Sequence, residues 1–104
     1  MYINIINTTT DSNKTATMIG EYLVNNKLSP CVQIVPQTES LFKWNGNVEN
    51  KKEFLLIIKT IPQHVKECKK NILKLHNYNV PEIIVTKGEI LLDTYKIWFT
   101  NNCK

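Results

Sequence analysis

The chain contains no arginine. All thirteen of its basic side chains are lysine, against nine acidic ones, for a net charge of +4. Arginine grips phosphate, carboxylate or guanine through two parallel hydrogen bonds, so a dedicated nucleic-acid or phosphate binder lacking it is unusual. Glycine is scarce too: Gly20, Gly46 and Gly88 are isolated and form no phosphate-cradling loop. The three cysteines, Cys31, Cys68 and Cys103, are odd in number and far apart, with no C-x-x-C pair, which argues against a disulfide framework and against a local zinc motif. There is no G-x-S-x-G and no H-E-x-x-H, and no nucleophile is placed recognisably beside a base, so catalysis is not expected. The opening MYINIINTTT lacks a charged leader with a long apolar region, and no apolar stretch approaches the ~20 residues of a membrane span. These absences predict a cytoplasmic protein with reduced thiols and with neither nucleic acid nor membrane as a partner.

What is present suits one domain over residues 1–104. The length and the 42% hydrophobic content allow a single modest core. Tyr2 to Asn7 reads as a strand, followed by Thr and Ser residues able to cap a helix around Thr10 to Ser12. Ala16, Ile19 and Leu23 recur at helical spacing over Asn13 to Asn26. A second β run, Cys31 to Val35, is broken by Pro36 and resumes to Trp44. Asn45-Gly46 then gives the strongest short hairpin signal, because a type I′ turn needs positive φ at both central residues. Val48 to Ile61 is the returning strand, and Pro62 suits the first turn of a second helix carrying Val65, Cys68, Ile72 and Leu75. Ile83 to Thr86, broken by Gly88, is the last strand, and Leu91 to Phe99 a C-terminal helix. Lys66, Lys70 and Lys74 fall four apart and read as that second helix's solvated face. The fold class is α+β: a ferredoxin-like βαββαβ with a long hairpin between its second and third strands and a helix at its C-terminus. An RNA-recognition domain shares this order, but its third strand needs stacking aromatics, and Asn50 to Ile58 offers only Phe54.

Two features predict that one copy is not enough. Helices cover only one face of such a sheet, so strands should alternate apolar and polar residues. The third strand does not: Phe54, Leu56 and Ile58 point one way, and Leu55, Ile57 and Ile61 the other. An uncovered apolar face marks an interaction surface. The hairpin arms, of about fourteen residues, extend roughly 45 Å at ~3.3 Å per residue, whereas a ~100-residue domain is only about 34 Å across. The tip should overhang its own domain and invite a neighbour. An obligate homo-oligomer follows.

The segments LSPCVQIVP (Leu28 to Pro36), SLFKWNGNVE (Ser40 to Glu49), IIKT (Ile57 to Thr60) and HNYNVPEI (His76 to Ile83), with Gly88, Tyr95 and Trp98, together resemble the CutA family of divalent-cation tolerance proteins. The S-x-x-x-W-x-G-x-x-E and H-x-Y-x-x-P-E-I blocks are its most specific parts, and the match runs nearly the whole chain in order. The resemblance implies a homotrimer similar to the PII signalling proteins, with sheets inward and helices outward. It also implies binding of copper or other divalent ions in some members, and no settled enzymatic activity. Some bacterial members have a cysteine at the end of the first strand and a histidine directly before the His-x-Tyr block. Here those positions are Asn7 and Leu75, leaving His76.

His76 and, more weakly, Cys31 are therefore the candidate ligands for a Cu2+ or Zn2+ ion, although such ions usually take three or four protein ligands. The competing expectation for His76 is a polar residue closing the second helix, and for Cys31 a small buried hydrophobe. Lys59, at the end of an apolar strand, either snorkels or meets a carboxylate such as Glu82. Lys59, Tyr78, Glu82 and Trp44 are expected to line a cleft between subunits that takes a small polar ligand. The function expected is divalent metal ion tolerance without catalysis, with a PII-like small-molecule sensor as the alternative.

Overall fold

The structure is a computed structural model and describes residues Met1–Lys104. Its elements run β1 (Tyr2–Thr10), α1 (Asn13–Asn25), β2 (Cys31–Trp44), β3 (Asn47–Thr60), a 3-10 turn (Pro62–His64), α2 (Val65–Leu75), β4 (Ile84–Glu89) and α3 (Asp93–Asn101). The four strands form one sheet in the order β2-β3-β1-β4, with every neighbour antiparallel. That is the interleaved ferredoxin-like arrangement expected from the order of elements.

Local chemistry sets the boundaries. Ser12 caps α1, its hydroxyl accepting from the Thr15 N–H at 3.1 Å. Pro62 opens the 3-10 turn that leads into α2. His76 ends α2 by turning to extended backbone, φ −69° and ψ 146°. At the hairpin, Asn45 and Gly46 take φ of 52° and 81°, the conformation this pair of residues tolerates best.

Three expected breaks are not breaks. β1 continues past Asn7, because Thr8, Thr9 and Thr10 pair with Leu56, Leu55 and Phe54. Pro36 does not interrupt β2: it sits in a bulge between Val35 and Thr38, where its missing N–H is not needed and Gln37 absorbs the extra length at φ 57°. Gly88 lies inside β4 opposite Ile3, and a Cβ there would come within 3.0 Å of the Ile5 Cδ1. Glycine at that point permits a close approach rather than ending the strand.

Both α1 and α2 pack on the same side of the sheet. Ile6, Leu56 and Ile58 from the strands meet Ala16, Ile19, Leu23, Leu28, Cys68 and Ile72 in a single core. Full burial of each large side chain there contributes about 1.5–3 kcal/mol. The pairing register puts Ile5, Asn7, Thr9, Leu55 and Ile57 on the opposite face. No side chain of that set is fully buried, and Ile84, opposite Asn7, is 53% exposed. The tail helix α3 packs at the end of the sheet where β1 begins: Tyr95 lies near Cys31, Thr100 meets Met1, and the Lys104 N–H donates to the Lys27 carbonyl. The molecule measures 47 × 25 × 21 Å, and every residue from Leu41 to Asn50 is exposed at the far end of the hairpin.

Candidate functional site

The segment after α2 is fastened to the sheet residue by residue. The Tyr78 N–H donates to His76 Nδ1 at 3.0 Å, and His76 Nε2 lies 2.9 Å from the Thr9 carbonyl. A backbone N–H only donates and a carbonyl only accepts, so the ring carries its proton on Nε2 and is neutral. Burial agrees, holding the His76 pKa below its ordinary 6.5. Asn77 follows, accepting from the Thr10 hydroxyl at 2.6 Å and donating to the Asp11 carboxylate at 2.8 Å.

Asp11 in turn holds Lys51 at 3.0 Å. Each shifts the other toward its charged form, Asp11 below and Lys51 above their ordinary values. The Lys51 ammonium also lies 4.8 Å from the centre of the Tyr78 ring, within cation–π range. The Tyr78 hydroxyl donates to Glu53 Oε2 at 2.6 Å. Burial, helped by the Glu53 carboxylate, pushes the Tyr78 hydroxyl up to about 12, so it remains a donor at any physiological pH. Glu53 itself is only 5% exposed.

Beside this network lies an open cleft of about 1050 Å³. Phe42 and Trp44 of β2, Glu49 and Glu53 of β3, and Tyr78 and Glu82 of the loop after α2 line it. Trp44, Tyr78 and Glu82 thus come together. Lys59 does not join them: it pairs with Ile5 and Cys31, six residues along β3 from Glu53, or about 20 Å. It meets no carboxylate of its own chain, where the ion pairs are Lys51–Asp11 and Lys52–Glu39.

The two candidate metal ligands also lie apart. His76 reaches β1 at Thr9, opposite Leu55, whereas Cys31 pairs with Lys59, four residues further along β3, about 13 Å. No group of three or more His, Cys, Asp or Glu side chains is gathered as a cation site. With both His76 nitrogens engaged, the residues of one chain do not fit a copper or zinc ion.

Lys51, Glu53 and Asp11 are central here and were not legible as site residues. A signal did exist: Lys51 and Glu53 share the face of Leu55 and Ile57, and a carboxylate in a strand that reads as buried calls for a donor.

The CutA1 divalent ion tolerance protein family matches residues 4–102. This chain belongs to that family. The divalent-cation tolerance protein CutA of Thermus thermophilus is 38% identical over 76 residues, covering 73% of this chain and 74% of that protein. The chloroplastic CutA protein of Arabidopsis thaliana is 32% identical over 96% of this chain, which spans 55% of that protein's length. Against several curated CutA relatives the chain spans about half their length. The fold is shared with solved CutA structures: that from Thermus thermophilus aligns over 100% of both chains with a TM-score of 0.90 at 32% identity. That from Xylella fastidiosa aligns over 98% of both with a TM-score of 0.92 at 29% identity. No helix is long and apolar enough to cross a membrane.

Proposed function

We propose that this chain acts as a homotrimeric, non-catalytic protein of divalent metal ion tolerance, a binding module that takes a small polar ligand at clefts completed between subunits, in the manner of PII-like sensors. The observation that carries this is the sheet face bearing Ile5, Leu55, Ile57 and Ile84, apolar, incompletely buried and continuous with a hairpin that projects beyond its own core. The cleft opens beside this face, so assembly and ligand uptake are linked in one surface.

Copper or zinc on His76 and Cys31 is disfavoured by the engaged imidazole and by the separation of the two residues. The tolerance role is exerted through what the cleft binds rather than through a chelate within one subunit. Three unpaired cysteines suit a reducing compartment such as the cytoplasm. The test is calorimetric titration of copper(II) and zinc(II) into wild type and His76→Ala, with the mass measured by light scattering on the same samples. Trimers with equal isotherms are expected. Binding lost in His76→Ala would restore the histidine as a ligand.

A further inference from the structure

We infer that Asn45 is a site of spontaneous modification, at which the chain closes a cyclic imide with Gly46 and opens it to isoaspartate or aspartate at the hairpin tip. The pairing of residues that allows this occurs once. The chain has thirteen asparagines, and only Asn45 is followed by glycine. Any other following residue shields its own amide nitrogen with a side chain. At Gly46 that nitrogen is open, and no other part of the chain lies within 4 Å of the point where a Cβ would stand. Neither reacting group is held in place. Among the backbone hydrogen bonds of turns and loops, none involves Asn45 or Gly46. The polar side-chain contacts nearest the tip are Asn50 to Glu39 at 3.2 Å and Lys52 to Glu39 at 3.9 Å, and neither reaches Asn45.

In the folded turn Asn45 and Gly46 hold φ of 52° and 81°, and the attack requires Asn45 to leave that conformation. The opening disturbs little: Trp44 and Asn47 are the last cross-strand pair, and every residue from Leu41 to Asn50 is exposed, so the core stays closed. The Gly46 nitrogen then attacks Asn45 Cγ. A C–N bond forms, the Cγ–Nδ2 bond breaks, and Nδ2 leaves as ammonia with the proton of the Gly46 N–H. Solvent water opens the imide in one of two ways. Cleavage between nitrogen and Cγ gives aspartate, whereas cleavage at the main-chain carbonyl carbon gives isoaspartate, with the backbone rerouted through the former side chain. Either product adds one carboxylate and lowers the net charge of the chain from +4 to +3. The two differ in consequence. Aspartate followed by glycine suits the same type I′ turn. Isoaspartate inserts a methylene carbon into the backbone of a two-residue loop, which pulls the Trp44–Asn47 pair out of register.

The test is prolonged warm incubation of the intact wild-type protein at mildly alkaline pH, where the attacking amide is more readily deprotonated. Tryptic cleavage after Lys43 and Lys51 then releases the tip for mass spectrometry, and electron-transfer fragmentation locates the modified residue and distinguishes the two products. Asn45 is expected to convert before any other asparagine, with isoaspartate exceeding aspartate because the main-chain carbonyl of the imide is the more electrophilic. Ion exchange should resolve a species more acidic by one charge per converted chain. Asn45→Gly keeps a residue pair suited to the type I′ turn and should leave the tip unmodified over the same time. Hydrogen exchange at Trp44 and Asn47 should quicken in the isoaspartate form and stay at the wild-type rate in Asn45→Asp, which carries the charge without the extra backbone carbon. Another asparagine converting first would overturn the inference. So would an Asn45 that stays intact in the folded protein while the urea-unfolded chain converts, since the turn or a neighbouring subunit would then be protecting it.

Discussion

On β3, Leu56 and Ile58 face α1 and α2 and are fully buried, whereas Leu55 and Ile57, of the same chemistry, face away and remain partly exposed. The difference lies in what covers each side. The helices of the same chain close one face into a core. The other has only the tail helix at one end, and it continues into Glu53, Lys51 and the cleft. A strand apolar on both sides in a two-layer fold therefore has two unlike rows: one is closed into the subunit's core, and the other is left for the assembly proposed above.

Substitutions in the two rows are expected to act on different properties, stability in one and mass in the other. Leu56→Ala, on the helix side, leaves a cavity in a closed core and is expected to lower stability by about 2–5 kcal/mol in urea unfolding. Ile57→Lys, one residue away, puts a charge into the row where the assembly is proposed. It is expected to leave far-UV circular dichroism unchanged while reducing the mass about threefold, from trimer to monomer. A Leu56→Ala variant as stable as wild type, or an Ile57→Lys variant that stays assembled, would erase the distinction between the faces. Tyr78→Phe removes the donor to a buried carboxylate and should cost about 1–3 kcal/mol.

The smallest expected effect is a pH dependence. The folded-state pKa of His76 lies below its unfolded value of 6.5 because burial disfavours the cation. The stabilisation this gives is complete above that value and is lost as the pH falls through 6.5 toward the folded pKa. Protonation would also set an Nδ1–H against the Tyr78 N–H, so the loop that carries Tyr78 and Glu82 loosens with it. Urea midpoints measured from pH 7.5 to 5 should fall for wild type and fall less for His76→Gln.

The sequence patterns located every element, because each has a local cause: the Ser12 cap, the Asn45-Gly46 turn, Pro62 at a helix start. Errors came where tertiary pairing overrides local signals. Pro36 and Gly88 look like breakers, yet one is accommodated by a bulge in an edge strand and the other by a close backbone approach. The grouping of residues within one chain is a matter of tertiary pairing. Within one chain Trp44, Tyr78 and Glu82, from blocks that draw the eye, come together, while Lys59 lies about 20 Å along β3 from Glu53, a separation that only strand register gives. Lys51, Glu53 and Asp11 come from three different stretches, and nothing local says that one tyrosine gathers two of them.

The most direct test of the central claim, that the second apolar face is an assembly surface, is the mass of the wild-type chain in solution at micromolar concentration. Sedimentation equilibrium should give three times the chain mass of 12.1 kDa. A stable species of a single chain mass would contradict it.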